Sequence, residues 1–366
     1  MTDINEVFFE LLQVAIGSRI CLSHTPSADE WGELYAMAKK QSLVGACFAG
    51  VQRLSGIEDS IHHTPYTIDL PEVLYLTWMG MAAKIQHRNE VVTKQCANLQ
   101  ARLVADGVRN CILKGQGVAA SYGSLSLLRQ SGDIDLWVDG SPKDTIIKLK
   151  SVGIELSNIN IKHADAKMFA DTEVEIHFVP SWFYSPVTSK RFKVWIKSQT
   201  ESQMTHECNG LIVPTTDFNI VYLLLHIYRH LLDEGVGMRQ LMDYYFALKA
   251  LAPSQKGICY ETICSFGMKR IASAVMWIMQ EVFGIDQEHL LCAPNSREGK
   301  SLLNEVMTAG NFGHYDVRVE HGHSGAFGRG WENFCRNIRF VTKYPDEVLW
   351  APFWKLWHWG WRKRYN

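Results

Sequence analysis

Apolar residues recur three and four apart from Glu6 to about Gly107, which predicts helices over "EVFFELLQVAIG", "ADEWGELYAMAKKQSLVGACFAGVQRL" and "PEVLYLTWMGMAAKIQHRNEVVTKQCANLQARLVADG". Pro71 and Gly107 punctuate the start and end of the last of these. From Val108 to about Val179 the period shortens, and the β-like runs "NCILKG", "DIDLWVD", "NINIKH" and "TEVEIHFV" appear. Between the second and third lies a helix over "SPKDTIIKLKSVG", with Ser141 as N-cap and Pro142 at its first position. After "VPSWFYSP" the helical pattern returns in "TTDFNIVYLLLHIYRHLLDE", "GMRQLMDYYFALKALA", "GICYETICSFGMKRIASAVMWIMQEVFG" and "SLLNEVMTAG". A loop rich in Gly and His and two more helical stretches complete the chain. The expected class is α+β, in three parts: an N-terminal helical region over 1–107, a sheet module over 108–185, and a C-terminal helical region over 186–366. No internal repeat or low-complexity segment interrupts this order.

Composition adds limits to the pattern. The 366 residues are 47% hydrophobic and 20% charged, ordinary for a globular chain and too apolar for disorder. Thirty-seven basic residues nearly balance thirty-eight acidic ones, so the whole-molecule charge gives no reason to expect long-range attraction to nucleic acid or an anionic surface. Nine cysteines form no CxxC pair, which suggests buried free thiols in a reducing compartment. "MTDINEVFFELLQ" is acidic before it is apolar, the wrong order for a secretory signal, and no uncharged apolar run reaches the ~18 residues of a spanning helix. A cytoplasmic protein is expected.

The chemistry concentrates in the sheet module. "RQSGDIDLWV" (129–138) alternates Asp133 and Asp135 with Ile134 and Leu136, so both carboxylates share one face of a strand and repel each other. A lone Asp-x-Asp is more often a half-solvated strand than a site. "TEVEIHFV" carries Glu173, Glu175 and His177 on one face, and brings a third acid to the first two if the strands are neighbours. Three converging acids are costly without a cation, and hard oxygen ligands suit Mg²⁺ or Mn²⁺. Upstream, "ILKGQGVAASYG" reads as a strand, a glycine turn and a small-residue helix. There Gly115 and Gly117 allow backbone approach to an anion, and Lys114 adds positive charge.

"LKGQG" (113–117), "RQSGDIDLWV" (129–138) and "VEIHF" (174–178) together resemble the uncharacterised nucleotidyltransferase family of the DNA polymerase β-like superfamily. The resemblance covers some seventy residues well and extends more loosely into "LLLHIYRH" and "RQLMDYYFAL". It implies a nucleotidyltransferase-like mixed β-sheet module flanked by helical regions. Asp133 and Asp135 match the metal-binding acids, Glu175 the third acid that completes the site and assists deprotonation of the acceptor, and Gly115 the turn under the triphosphate. Where the superfamily commonly has Gly-Ser, this chain has Lys114-Gly115 with no serine following. Lys114 is then the expected phosphate ligand, with Arg129 as a second candidate for phosphate or substrate. His177 is a candidate to position the acceptor or hold Glu175, and His226, Arg239 and Asp243 are candidates to face nucleotide or acceptor.

The implied activity is Mg²⁺-dependent transfer of a nucleoside monophosphate from an NTP to an acceptor. A catalytically inactive nucleotide-binding or regulatory module with the same fold is the alternative, and a metal-dependent phosphohydrolase a third reading. The acceptor stays open among small molecule, protein and RNA, and the oligomeric state is not set.

Other features carry ordinary readings. His226 and His230 stand four apart, a zinc-compatible spacing without an HExxH glutamate, and are expected to line a cleft or pack. Arg239 and Asp243, also four apart, form an ion pair by default. The loop with His314, His321 and His323 suits a lid. Trp350, Trp354, Trp357 and Trp361 recur at helical spacing, which favours a helix docked on its own protein over one lying on a membrane or on bases.

Overall fold

The computed structural model describes residues 3–56, 68–316, 318 and 336–362. Four helices come first: α1 (Ile4–Ile16), α2 (Ala28–Lys40), α3 (Val44–Leu54) and α4 (Glu72–Ala105). Ser27 and Glu30 close a capping box at the start of α2, satisfying two orphan donors reciprocally. The single helical run expected from "ADEW" to "VQRL" breaks between α2 and α3, where Ser42 has φ 56°. Gln41 explains the break: its side chain donates to Val306 O (3.1 Å) and accepts from Met238 N (2.9 Å), tying the turn to distant segments. Pro71 serves as the N-cap of α4 rather than a position within its first turn.

The sheet follows. It contains β1 (Asn110–Leu113), β2 (Ile134–Val138), β3 (Leu156–Ser157), β4 (His163–Ala166) and β5 (Val174–His177), in the order β1-β2-β5-β4-β3. Only β2 and β5 run parallel, so the sheet is mixed and the architecture is α+β. After β1 come α5 (Lys114–Ala119) and a 3₁₀ stretch (Ala120–Leu128); α6 (Pro142–Ser151) follows β2, with Ser141 accepting from Asp144 N as its cap. The β-like run "NINIKH" is mostly a turn. Asn160 Oδ1 accepts from Lys162 N (2.8 Å) and His163 N (3.1 Å), folding the chain locally so that the strand begins only at His163.

Beyond the sheet lie α7 (Pro186–Gln203), a hairpin of β6 (Glu207–Cys208) and β7 (Leu211–Ile212), α8 (Thr216–Asp233), α9 (Met238–Ala250), α10 (Lys256–Ser265), α11 (Lys269–Glu281), α12 (Ser296–Ala309) and α13 (Pro345–Arg362). The long run from "GICY" to "EVFG" is two helices because the chain turns at Gly267, with φ 74°.

Apolar layers cover both faces of the sheet. Ile112, Ile134, Leu136, Val174 and Ile176 pack against Val92, Cys96, Leu99 and Leu103 of α4, and burying each such aliphatic side chain stabilises by about 1.5–3 kcal/mol. On the other face Cys111, Leu113 and Trp137 join the larger core, where Trp137 stacks on Phe218 of α8 at 5.9 Å. That second face also carries the alternate positions of β2 and β5, Asp135, Glu175 and His177.

α13 docks through its inner face. Glu347 accepts from Arg229 Nη1 (2.7 Å), Tyr184 N (2.8 Å) and Ser185 N (3.1 Å), and Trp354 stacks on Trp182 at 6.3 Å. The tryptophan spacing therefore marks a docked helix only in part, because Trp350 and Trp357, on the same stripe as Trp354, stay about half-exposed. Among the described residues eight cysteines are free thiols, four of them buried, and no helix is long and apolar enough to cross a membrane. His314 is exposed, while His321 and His323, and with them the expected lid, lie outside the described residues.

Candidate active site

β2 and β5 are neighbours, and their register places Asp135 directly beside Glu175 and Trp137 beside His177. Asp133 stands just before β2, whose first residue donates from Ile134 N to Glu173 O (2.9 Å). One oxygen from each of Asp133, Asp135 and Glu175 can be chosen so that all lie within 4.8 Å of one another. The third acid joins the first two because strand pairing brings it there.

Two donors converge on Asp135. Lys114 Nζ and His177 Nε2 each lie 2.7 Å from Oδ1, and both contacts are on that one oxygen, leaving Oδ2 for another partner. Asp135 is only 4% exposed. Burial works against its charge, but Lys114 and the His177 hydrogen bond outweigh burial and hold the carboxyl below the usual carboxylate range. Lys114, opposed by the same burial, is kept charged by Asp135. His177 also reaches Glu175 Oε2 (3.4 Å); despite its burial, these two carboxylates raise its pKa. The same hydrogen bond lowers Glu175. Asp133, exposed just before β2, moves the other way: the adjacent Asp135 charge raises its pKa. Hard carboxylate oxygens clustered this closely, one of them pushed toward protonation by its neighbour, fit a divalent cation of the Mg²⁺ type.

The turn above the acids is unusual in its backbone. Lys114 has φ 44° and Gly115 φ 35°, so the chain leaves β1 through two successive left-handed residues. At Gly115 a Cβ would meet only Asp133 O at 3.8 Å, and the residue lines the cleft. Gly117 is different. A Cβ there would lie 2.3 Å from Ile112 O, so this glycine lets α5 fold back on β1, and it does not line the cleft.

The opposite wall comes from α8 and α9. Tyr222, His226 and His230 present one helical face to the acids, with His226 Nε2 3.1 Å from His230 Nε2 and His230 Nδ1 3.2 Å from Glu234 Oε2. Burial, then the nearby His230 and Lys114, push His226 well below the ordinary histidine range, so it is neutral. Arg129 and Asp243 both line the cleft but engage each other: Nε and Nη2 donate to Oδ1 (2.7 Å) and Oδ2 (2.8 Å), and Tyr122 donates to the same carboxylate (2.6 Å). The default ion pair between Arg239 and Asp243 does not form. Arg239 instead donates to Gln130 O (2.8 Å), with its guanidinium facing the cleft.

A model of the family described as uncharacterised nucleotidyltransferase matches residues 27–284. The chain belongs to that family. No curated protein matches the chain. The family match spans the whole sheet, α8 and α9, and stops before α12 and α13. Trp182, which falls within it, meets Trp354 of α13, which does not.

Several cleft residues escape sequence reasoning. Lys162 sits with Nζ 3.4 Å above the Trp182 ring, and burial pushes its pKa down to about 8. Arg229 lies 4.0 Å over the Tyr184 ring and is shared by Asp233 and Glu347. His163, opposite His177 across β4 and β5, forms a second possible ligand cluster with Glu175 and His177. Burial pushes His163 down to about 4, leaving a neutral imidazole. Nothing local in "NIKHAD" marks these residues; only the β4–β5 pairing brings His163 to the acids.

Proposed function

We propose that the protein transfers a nucleoside monophosphate from an NTP to an acceptor hydroxyl. The observation that carries this reading is the in-register placement of Asp135 beside Glu175, with Asp133 adjacent, under a left-handed Lys-Gly turn. Asp133, Asp135 and Glu175 would hold Mg²⁺ or Mn²⁺, which when bound offsets phosphate charge and acidifies a hydroxyl. The turn at Lys114 and Gly115 receives the triphosphate. Lys114, already charged beside Asp135, is within reach of an anion entering there. Arg239 adds a guanidinium, whereas Arg129 acts by fixing Asp243 and the cleft wall.

In the reaction the acceptor oxygen attacks the α-phosphorus. The new P–O bond forms as the bond to the bridging oxygen breaks, pyrophosphate leaves, and the acceptor proton passes to a base. Glu175 is that base in this reading, because it is half-exposed, ionised and oriented by His177. The sheet module over 108–185 carries the chemistry, and the helices after 186 select the acceptor.

Incubation with each α-labelled NTP and a cell extract tests this directly. Label should appear in an acceptor with stoichiometric pyrophosphate; release of inorganic phosphate without labelled acceptor would favour hydrolysis instead. The second reading, a nucleotide-binding module without turnover, draws on the Lys114 ammonium that already neutralises Asp135. It predicts nucleotide binding with neither label transfer nor pyrophosphate.

A further inference from the structure

A second cavity, of about 420 Å³, opens beside the catalytic cleft. Lys162, Ser181 and Trp182 line both spaces, so they form a common neck. Beyond that neck the walls are mostly apolar: Phe178 at the sheet end, Ile196 of α7, and Trp354 and Trp357 of α13. Its size falls within the ~300–1,000 Å³ of small-molecule sites.

Charge at the rim is one-sided. Lys193 and Lys197 stand one turn apart on α7, both exposed, and among the described residues neither has a carboxylate within ion-pair distance. Asp139, the acid on this wall, is taken by Arg109 at 2.5 Å. An apolar chamber rimmed by unpaired ammonium groups complements a molecule with an apolar body and an anionic end. The side chains it shares with the cleft place it next to the site that holds the acids.

Resting on the nucleotidyl-transfer reading, we infer that this cavity is the acceptor site, and that the acceptor is an anionic amphiphile. Its apolar body lies among Phe178, Ile196, Trp354 and Trp357, its anion meets Lys193 and Lys197, and its hydroxyl passes the neck at Lys162 and Trp182 toward Glu175. Trp182 and Lys162, a cation–aromatic pair at 3.4 Å, line both sides of that passage.

The full chain, titrated with ω-hydroxydecanoate and separately with ω-hydroxydecyl trimethylammonium, tests this through tryptophan fluorescence, since tryptophans line the cavity. The anion should bind saturably and more tightly than the cation. K193E/K197E should weaken the anion by about three- to ten-fold, as expected for two exposed charges. Ile196→Trp, which fills the chamber, should weaken both probes. Binding of neither probe, equal binding of the two, or an anion affinity unchanged in K193E/K197E would overturn the inference. Calorimetry of Mg-ATP on K193E/K197E should match the unsubstituted chain, so a failure here leaves nucleotide binding intact and is told apart from a failure of the transfer reading.

Discussion

Asp135 meets the Lys114 ammonium and the His177 ring on one oxygen, and this arrangement fixes what each neighbour does. Replacing Lys114 by Met leaves a carboxylate that is 4% exposed with His177 alone, and loss of one partner of a buried pair costs about 3–5 kcal/mol. Urea unfolding of K114M in EDTA should show a loss of that order. The pH dependence has two limbs of opposite sign. Asp135, lowered on folding, stabilises above its unfolded value near ~4, and that contribution fades as pH falls through its folded value. His177, raised on folding, stabilises below its unfolded value near ~6.5, and that contribution is lost as pH rises through its folded value. Metal-free protein should therefore gain most from this pair between about pH 4 and 6.5. Thermal melts of the unsubstituted chain should decline on the alkaline side, and those of His177→Gln should lack that decline. Asp133, raised by Asp135, destabilises the metal-free fold once ionised. D133N should melt higher than the unsubstituted chain in EDTA and lose its Mg²⁺-dependent gain; an unchanged gain from Mg²⁺ would remove Asp133 from the metal site. The acids were legible in sequence because strand periodicity puts them on one face, and Lys114 because it stands in the glycine turn that follows β1. His163 and Lys162 were not, because an asparagine-centred turn puts Lys162 outside the strand and starts β4 only at His163.

At the scale of elements, two glycines in one short motif have separate tasks. Gly117→Ala would drive a Cβ into Ile112 O, at 2.3 Å, and should cost about 1–3 kcal/mol of stability through overpacking between α5 and β1. Gly115→Ala meets no clash, only Asp133 O at 3.8 Å, but carries a left-handed φ penalty of about 1–2 kcal/mol, and its larger effect should be on nucleotide affinity. Urea unfolding and nucleotide titration of both variants separate the two roles. Spacing alone could not make this distinction, since both glycines fit the same phosphate-turn pattern. Helix starts were read well where a side chain caps them, as at Ser141. Helix breaks at Ser42 and Gly267 were missed because the apolar period continues across both turns, and tertiary bonds such as those of Gln41 decide them.

For the whole molecule, the cleft is closed by elements far apart in the chain. Arg229 of α8 joins Asp233 (2.6 Å) and Glu347 of α13 (2.7 Å), and Glu347 also holds the backbone at Tyr184 and Ser185. Glu347→Ala removes its three bonds, to Arg229, Tyr184 N and Ser185 N, and leaves the buried Arg229 with Asp233 alone. It should cost about 3–5 kcal/mol and raise amide exchange across α13, which hydrogen exchange would show. The central claim concerns the site this frame supports: Asp133, Asp135 and Glu175 hold a divalent cation that a nucleoside triphosphate shares. Calorimetric titration of the folded chain with ATP, CTP, GTP and UTP, in Mg²⁺ and then in EDTA, tests it most directly. The account predicts binding of at least one nucleotide in Mg²⁺, with the heat abolished by EDTA and by combined Asp133→Ala and Asp135→Ala substitution; no binding by any of the four to the folded protein, or binding indifferent to Mg²⁺ and to both aspartates, would contradict it.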